Sequence, residues 1–151
     1  MSHTTRPLTL SDAGQLLTLQ RAAYASEAQI YRDPFLPALT QTLDELRAEL
    51  AGPALGIDAE GRLLGAVRWT VDGDTAHIGR LVVAPDLQGK GIGTALLRSA
   101  EQASGAARFE LFTGHLSEAN IRLYERESYT RTRQVALQPG VELVHMEKSV
   151  G

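Results

Sequence analysis

The chain of 151 residues contains no cysteine, which removes disulfide scaffolds, thiolate metal sites and cysteine nucleophiles together. Aromatic residues are scarce too, with one Trp, three Phe and four Tyr. Positive charge is not in excess, since 15 Lys and Arg face 18 Asp and Glu for a formal net charge of −3. That balance argues against a protein that coats nucleic acid or an anionic membrane. Long apolar runs are also missing: the stretch from Leu81 to Ala84 falls far below the ~20 residues of a membrane span. Met1 to Leu10 lacks the apolar centre of a secretory signal. The expectation is a cytoplasmic protein with no nucleic-acid or membrane partner. Four histidines leave only carboxylate and imidazole metal sites, and His77 with His115 has no third ligand at recognisable spacing, so no metal is expected.

What is present is a continuous alternation of elements, undivided by a linker, a charge block or a repeat, so residues 1–151 read as one domain. A short strand near Thr5 to Thr9 precedes Ser11 and Asp12, which offer a helix cap, and Ala13, Leu16, Leu17, Gln20 and Tyr24 recur at helical spacing. Ile30 to Ala38, with two prolines, reads as a loop. Thr42 and Glu45 form a capping box for a helix carrying Leu43, Leu46 and Leu50, which ends at Gly52-Pro53. Strand patterns cover Ala54 to Asp58, Leu63 to Val71 and Thr75 to Val83. A helix then places Ile92, Ala95, Leu96, Ser99 and Ala103 on one face. Arg108 to Thr113 reads as a strand, Ser117 to Glu127 as a helix, and Tyr129 to Leu137 with Val141 to Lys148 as a closing hairpin. This order gives an α/β or α+β class with a mixed sheet.

Between strand and helix lies Gln88-Gly89-Lys90-Gly91-Ile92-Gly93-Thr94. Backbone N–H groups at a helix start, with no Cβ in the way, suit a pyrophosphate; an ordinary flexible turn is the alternative. The spacing is wrong for a P-loop, and Leu96 stands where a dinucleotide fingerprint needs its third glycine.

The run from Leu81 to Leu97, with Gln88, Gly91 and Gly93 in the pattern Gln/Arg-x-x-Gly-x-Gly/Ala, resembles the acyl-CoA motif of the GCN5-related N-acetyltransferase (GNAT) family. A second signature of that family is matched by Asn120, Leu123-Tyr124 and Tyr129, with Ser128 where Gly is usual. The resemblance implies a single GNAT-like fold, a mixed, mostly antiparallel twisted sheet of about seven strands with helices on both faces. It also implies an acetyl-CoA-dependent N-acetyltransferase acting by direct attack in a ternary complex. Leu81, Val82 and Val83 would pair with the pantetheine chain, Gln88 to Thr94 (Gln88, Gly89, Lys90, Gly91, Ile92, Gly93, Thr94) would hold the pyrophosphate, and Asn120 would bond the pantetheine. Tyr124 would be the general acid; with an ordinary pKa near 10 its hydroxyl is protonated at pH 7 and matches a thiolate of about 8.5. A packed core aromatic is the other reading of Tyr124.

Where relatives often carry Glu in the strand before the glycine turn, this chain has His77. His77 is a candidate base by its ordinary pKa of ~6.5, or else a sheet histidine facing solvent. His115 and Glu27 are further candidates, each with a surface role as the alternative. Tyr24, Glu27, Tyr31, Phe35, Trp69 and His115 are expected to wall the acceptor pocket, with ordinary core packing the alternative for Trp69. No carboxylate cluster in the loop favours a polycation, so a small amine, an amino-acid-like acceptor and a peptide N-terminus stay open. A non-catalytic acyl-CoA sensing module and a protein N-terminal acetyltransferase are the competing functions. By analogy of fold, the strands from Tyr129 to Lys148 are expected to form a homodimer interface.

Overall fold

The computed structural model describes residues 3–150. The elements run β1 (Thr5–Pro7), α1 (Ala13–Tyr31), α2 (Pro37–Thr40), α3 (Leu43–Glu49), β2 (Ala54–Ala59), β3 (Arg62–Asp72) and β4 (Thr75–Val83). They continue through α4 (Ile92–Ser104), β5 (Arg108–Gly114), α5 (Glu118–Arg126), β6 (Thr130–Gln138) and β7 (Val141–Ser149). Seven strands form one sheet in the order β1-β2-β3-β4-β5-β7-β6. Every neighbouring pair is antiparallel except β4 and β5, which run parallel because α4 carries the chain across the sheet between them.

Alternation along the strands divides the core in two. On one face Val67, Trp69, Ala76, Ile78, Phe109 and Met146 meet Leu96, Leu97 and Ala100 of α4 and Ile121 and Tyr124 of α5. On the other, Ala54, Leu63, Ala66 and Val82 meet Leu16, Leu17 and Leu19 of α1 and Leu46 of α3. Each of the buried Val, Leu, Ile, Phe and Met side chains contributes roughly 1.5–3 kcal/mol when removed from water. The stripe of α4 is rotated from the expected one: Leu97 and Ala100 are buried, whereas Ala103 is exposed. Facing the twisted sheet, the helix turns its larger side chains inward.

Helix α1 outruns its periodicity. It extends to Tyr31 and stops where Arg32 takes a left-handed φ of 51°, with its N–H bonded back to Ala28. The loop expected from Ile30 therefore starts two residues later and is interrupted by α2, whose first residue is Pro37. The capping box of α3 forms as its spacing requires: the Glu45 N–H reaches Thr42 Oγ1 at 3.2 Å and the Thr42 N–H reaches Glu45 Oε1 at 2.8 Å. At the entry to α1 a turn of 3₁₀ helix intervenes, where Asp12 accepts the Thr9 N–H at 2.8 Å and two bonds from Arg6 of β1. Among the described residues, no helix is long and apolar enough to cross a membrane.

Candidate active site

Strand β4 carries the feature from which the site grows. Across β3, Ala66 pairs with Val82 and Arg68 with Gly79, so two steps on β3 match three on β4. The extra residue falls at the bulge around Arg80, whose φ is 49°. A bulge bends its strand away from the plane of the sheet. Pairing between β4 and β5 accordingly stops at His77 opposite Glu110, although β4 continues to Val83 and β5 to Gly114. Beyond His77 the strands part, and the β4 backbone presents an edge that a ligand can join as an added strand.

Below this gap the chain turns into α4. Gly91 caps the helix with a φ of 83°, after Gly89 with a φ of 77°, conformations that a side-chain-bearing residue adopts only with strain. Among the described residues, the N–H groups of residues 88–94 donate no hydrogen bond, so several donors converge at the positive end of α4. The Lys90 carbonyl is taken by His3 Nε2 at 3.0 Å, and Gln88 ties its amide to the Val83 carbonyl at 3.2 Å. Arg98 does not turn to this nest; Glu127, just after α5, holds it in two bonds of 2.7 and 3.0 Å.

On the far side of the gap lies a cavity of about 310 Å³, lined by Tyr24, Glu27, Tyr31, Leu36, Pro37, Ala38, Ile78, Gly79, Arg80, Leu81, Phe112, Thr113, Gly114, Ser117, Asn120, Tyr124, Leu137, Val141 and Leu143. One wall is a polarised chain. The Leu116 N–H donates to the Tyr31 hydroxyl at 2.9 Å, Tyr31 donates to Ser117 Oγ at 2.9 Å, and Ser117 spends its single proton on Glu27. The Tyr31 hydroxyl sits so close over Gly114 that a Cβ there would meet it at 2.0 Å. Burial pushes the Tyr31 hydroxyl upward in pKa, against the opposing pull of its bonds to Ser117 and Leu116.

Tyr124 reaches the cavity from α5. Its ring is buried edge-on against Tyr129 at 6.0 Å, and its hydroxyl makes no hydrogen bond among the described residues. Burial raises its pKa well above the ordinary phenol value, and the neighbouring Tyr24 and Glu27 push the same way. It is therefore a protonated donor without a partner. Asn120, one turn earlier on the same face, leans on Thr113 Oγ1 at 3.5 Å.

Of the residues expected to wall the pocket, Tyr24, Glu27 and Tyr31 line the cavity and three do not. Phe35 is 72% exposed, directed outward by a turn in which its N–H bonds Asp33 at 2.8 Å. Trp69 is packed in the core against α4, on the opposite face of β3 from its neighbour Arg68. His115 stacks on Tyr31 at 5.6 Å and spends its Nδ1 lone pair on the Glu142 N–H at 3.0 Å. His77 also lies outside this cavity. It precedes the bulge, so alternation turns it to a separate groove, where it sits 3.3 Å from Glu110 beside Arg133 and His145. Arg80, Ser117 and the β6–β7 residues Leu137, Val141 and Leu143 are among the lining that the sequence did not disclose. Ser117 was legible only as the start of a helix, and a left-handed Arg in a strand has no pattern of its own.

Among the described residues the sheet thus splits between its one parallel pair of strands, above a glycine turn and beside a cavity that holds Glu27, Arg80 and Tyr124. Residues 20–128 match the Acetyltransferase (GNAT) family, and the chain belongs to that family. Its fold is similar to the PaiA N-acetyltransferase of Thermoplasma acidophilum, solved in complex with coenzyme A, with a TM-score of 0.79, 19% identity and 99% and 100% of the two chains covered. It is similar also to the ribosomal-protein-S18-alanine N-acetyltransferase of Escherichia coli, with a TM-score of 0.79, 18% identity and 98% and 94% covered. YncA of Salmonella typhimurium, a putative acetyltransferase solved with acetyl-CoA, gives 0.76 at 19% identity over 99% and 94%. In sequence the chain is 29% identical over 132 residues to the UPF0157 protein YqkA of Bacillus subtilis (strain 168); the match takes in 87% of this chain and 38% of that protein. The chain thus spans about two fifths of the length of this curated relative.

Proposed function

We propose that the chain is an acetyl-CoA-dependent N-acetyltransferase that acetylates the primary amine of a small molecule by direct attack in a ternary complex. The observation that carries this reading is the meeting, at one gap in the sheet, of an unpartnered protonated Tyr124 and the Glu27 carboxylate. The residues fit the cosubstrate on their own geometry. The free N–H groups over Gly89 and Gly91 suit a pyrophosphate, and the unpaired edge from Gly79 to Val83 suits the amide groups of pantetheine.

Acetyl-CoA supplies an acetyl thioester at the gap. The amine nitrogen forms its bond to the acetyl carbon as the carbon–sulfur bond breaks. Tyr124 gives its hydroxyl proton to the departing sulfur; burial keeps the hydroxyl protonated until that step but makes the phenolate left behind costly, so solvent must restore the proton. Glu27 takes the proton that the amine must lose, its carboxylate held in place by Ser117 and Tyr31. A cavity of about 310 Å³, closed by α2 on one side and the β6–β7 hairpin on the other, supports a small acceptor.

Acetyl-CoA should raise the unfolding temperature, since a ligand bound only by the folded state shifts unfolding by mass action. Gly91→Glu should abolish that rise by putting strain and negative charge at the nest. Thiol release measured over a panel of small amines decides the rest: turnover supports the enzyme, whereas tight binding with no turnover on amines or peptides leaves a sensing module.

A further inference from the structure

Two of the lining side chains carry formal charge, and they are of opposite sign: Glu27 from α1 and Arg80 from the bulge of β4. They are not paired with each other. Among the described residues Arg80 makes neither an ion pair nor a side-chain hydrogen bond; Arg21, Arg32, Arg47, Arg126 and Arg133 also lack a carboxylate partner, but of these arginines Arg80 alone lines the cavity. Arg80 is half-buried at the cavity wall, and a guanidinium there with no counter-charge of its own is free to take an anionic group of a ligand.

A second arginine strengthens the positive corner. Arg68, opposite Gly79 on β3, has a side chain only 8% exposed; it bonds Gln20 at 3.2 Å and Glu49 at 3.0 Å through Nη2, while Nη1 is buried with no partner. Burial pulls its pKa down, Glu49 opposes this, and the nearby charge of Arg80 adds to the lowering. The two guanidinium groups therefore stand near each other with one carboxylate, Glu49, which is bonded to Arg68 alone. Their surplus of positive charge borders the cavity at the Tyr24 side. The apolar part of the wall is formed by Leu36, Phe112, Leu137, Val141 and Leu143.

We propose that Arg80 is the anchor for an anionic group of the acceptor, and that the acceptor is an α-amino acid with an apolar side chain. The amine sits at Glu27, the carboxylate at Arg80 and the side chain among Leu36, Phe112 and Leu143. An α-amino acid answers the cavity in sign, in number of charges and in the apolar remainder. Arg suits this role because its planar fork meets a carboxylate in two parallel hydrogen bonds. The inference rests on the amine-acetyltransferase reading and narrows its substrate.

The test uses matched acceptors with acetyl-CoA: alanine, valine, leucine, methionine and phenylalanine, the amide of each, and the amine each would leave on losing its carboxyl group. The amides have the more readily deprotonated amines, so intrinsic reactivity favours them over the acids. A kcat/KM for at least one acid that exceeds its amide and its amine by ~10²-fold or more is the expected result. Arg80→Gln should erase that preference through KM, leave the decarboxylated amine unchanged and leave acetyl-CoA stabilisation intact, and Arg80→Lys should restore part of it. Equal use of acids, amides and amines by the wild type overturns the anchor while keeping the acetyltransferase, and preference for the amides points instead to a peptide N-terminus. An Arg80→Gln variant that slows all three classes alike also overturns it. Binding of acetyl-CoA without acetylation of any amine overturns both this inference and the reading beneath it. The comparison within the wild type decides the matter even if the variants fail to fold.

Discussion

In the proposed mechanism Tyr124 and Glu27 divide the proton work, and each can be removed with little change of shape. Tyr124→Phe keeps the ring against Tyr129 and deletes only a hydroxyl that has no partner in the protein. Turnover should fall by ~10²-fold in kcat with acetyl-CoA affinity unchanged, measured by thiol release and by binding separately. Glu27→Gln keeps a hydrogen bond to Ser117 and loses the proton acceptor, so kcat/KM should drop by a similar ~10². His77→Ala is the contrasting case: because His77 faces Glu110 in another groove, its loss should leave both constants within about twofold. A large loss there would return the base to the sheet histidine. What the sequence disclosed at this scale was the chemistry carried by motifs. The Asn120 and Tyr124 spacing put both on one helix face, and that holds in the structure. Tyr24 was legible because α1 periodicity reaches it, whereas Tyr31 was expected in the loop that follows and lies instead at the end of α1. Arg80 was not, because the bulge that aims it depends on pairing with β3 and on no residue type nearby. His77 lies ahead of that bulge, still in regular pairing with Thr70, and its side chain opens on the groove with Glu110, Arg133 and His145.

Among the elements, β1 and the start of α1 are tied by a single charged knot. Arg6 reaches Asp12 with bonds of 3.1 and 2.9 Å and Asp58 of β2 with one of 3.0 Å, while Asp12 also takes the Thr9 N–H. The bonds from Arg6 hold the Asp12 carboxyl below the usual carboxylate range, against desolvation, which pushes the other way. A depressed carboxylate stabilises the fold fully above its unfolded pKa of ~3.9 and loses that contribution as pH falls through its lower folded value. Asp12→Asn should therefore cost about 1 kcal/mol at neutral pH, discounted for the exposure of Arg6, and the deficit should vanish in strong acid. Denaturant unfolding of both proteins at neutral and strongly acid pH measures the difference. Most element boundaries followed from local chemistry, as the capping box of α3 and the Gly-Pro stop after it show. The exceptions came from packing at a distance. Helix α1 continues to Tyr31 because that hydroxyl is wanted over Gly114, and α4 turns Leu97 inward because the sheet beneath it is twisted.

At the scale of the whole molecule, the order of the strands follows from one crossover. Strands β1 to β4 form a meander with neighbours in sequence, and β5 to β7 form a second antiparallel unit. Between them, the sheet is continuous only at Thr75, Ala76 and His77 against Arg108, Phe109 and Glu110. Side-chain ties reinforce the join: Arg98 of α4 to Glu127 after α5, and Glu101 of α4 to Lys148 of β7 and to the Tyr129 hydroxyl. The class of the sheet was readable from element order, but which strands part was not, since parting depends on a bulge.

That short seam makes the protein a body of two stiff plates joined along a narrow welt, with the binding site where the weld is missing. A ligand that hydrogen-bonds along the β4 edge would lengthen the weld, so loading the enzyme would also stiffen it. Amides from Gly79 to Val83 should exchange with deuterium far faster in the free protein than with coenzyme A bound, while amides of the β2–β3 ladder stay equally slow in both. Equal exchange along β4 in the two states would mean that the plates are locked together by their side-chain ties alone, and that the gap is a rigid slot rather than a joint.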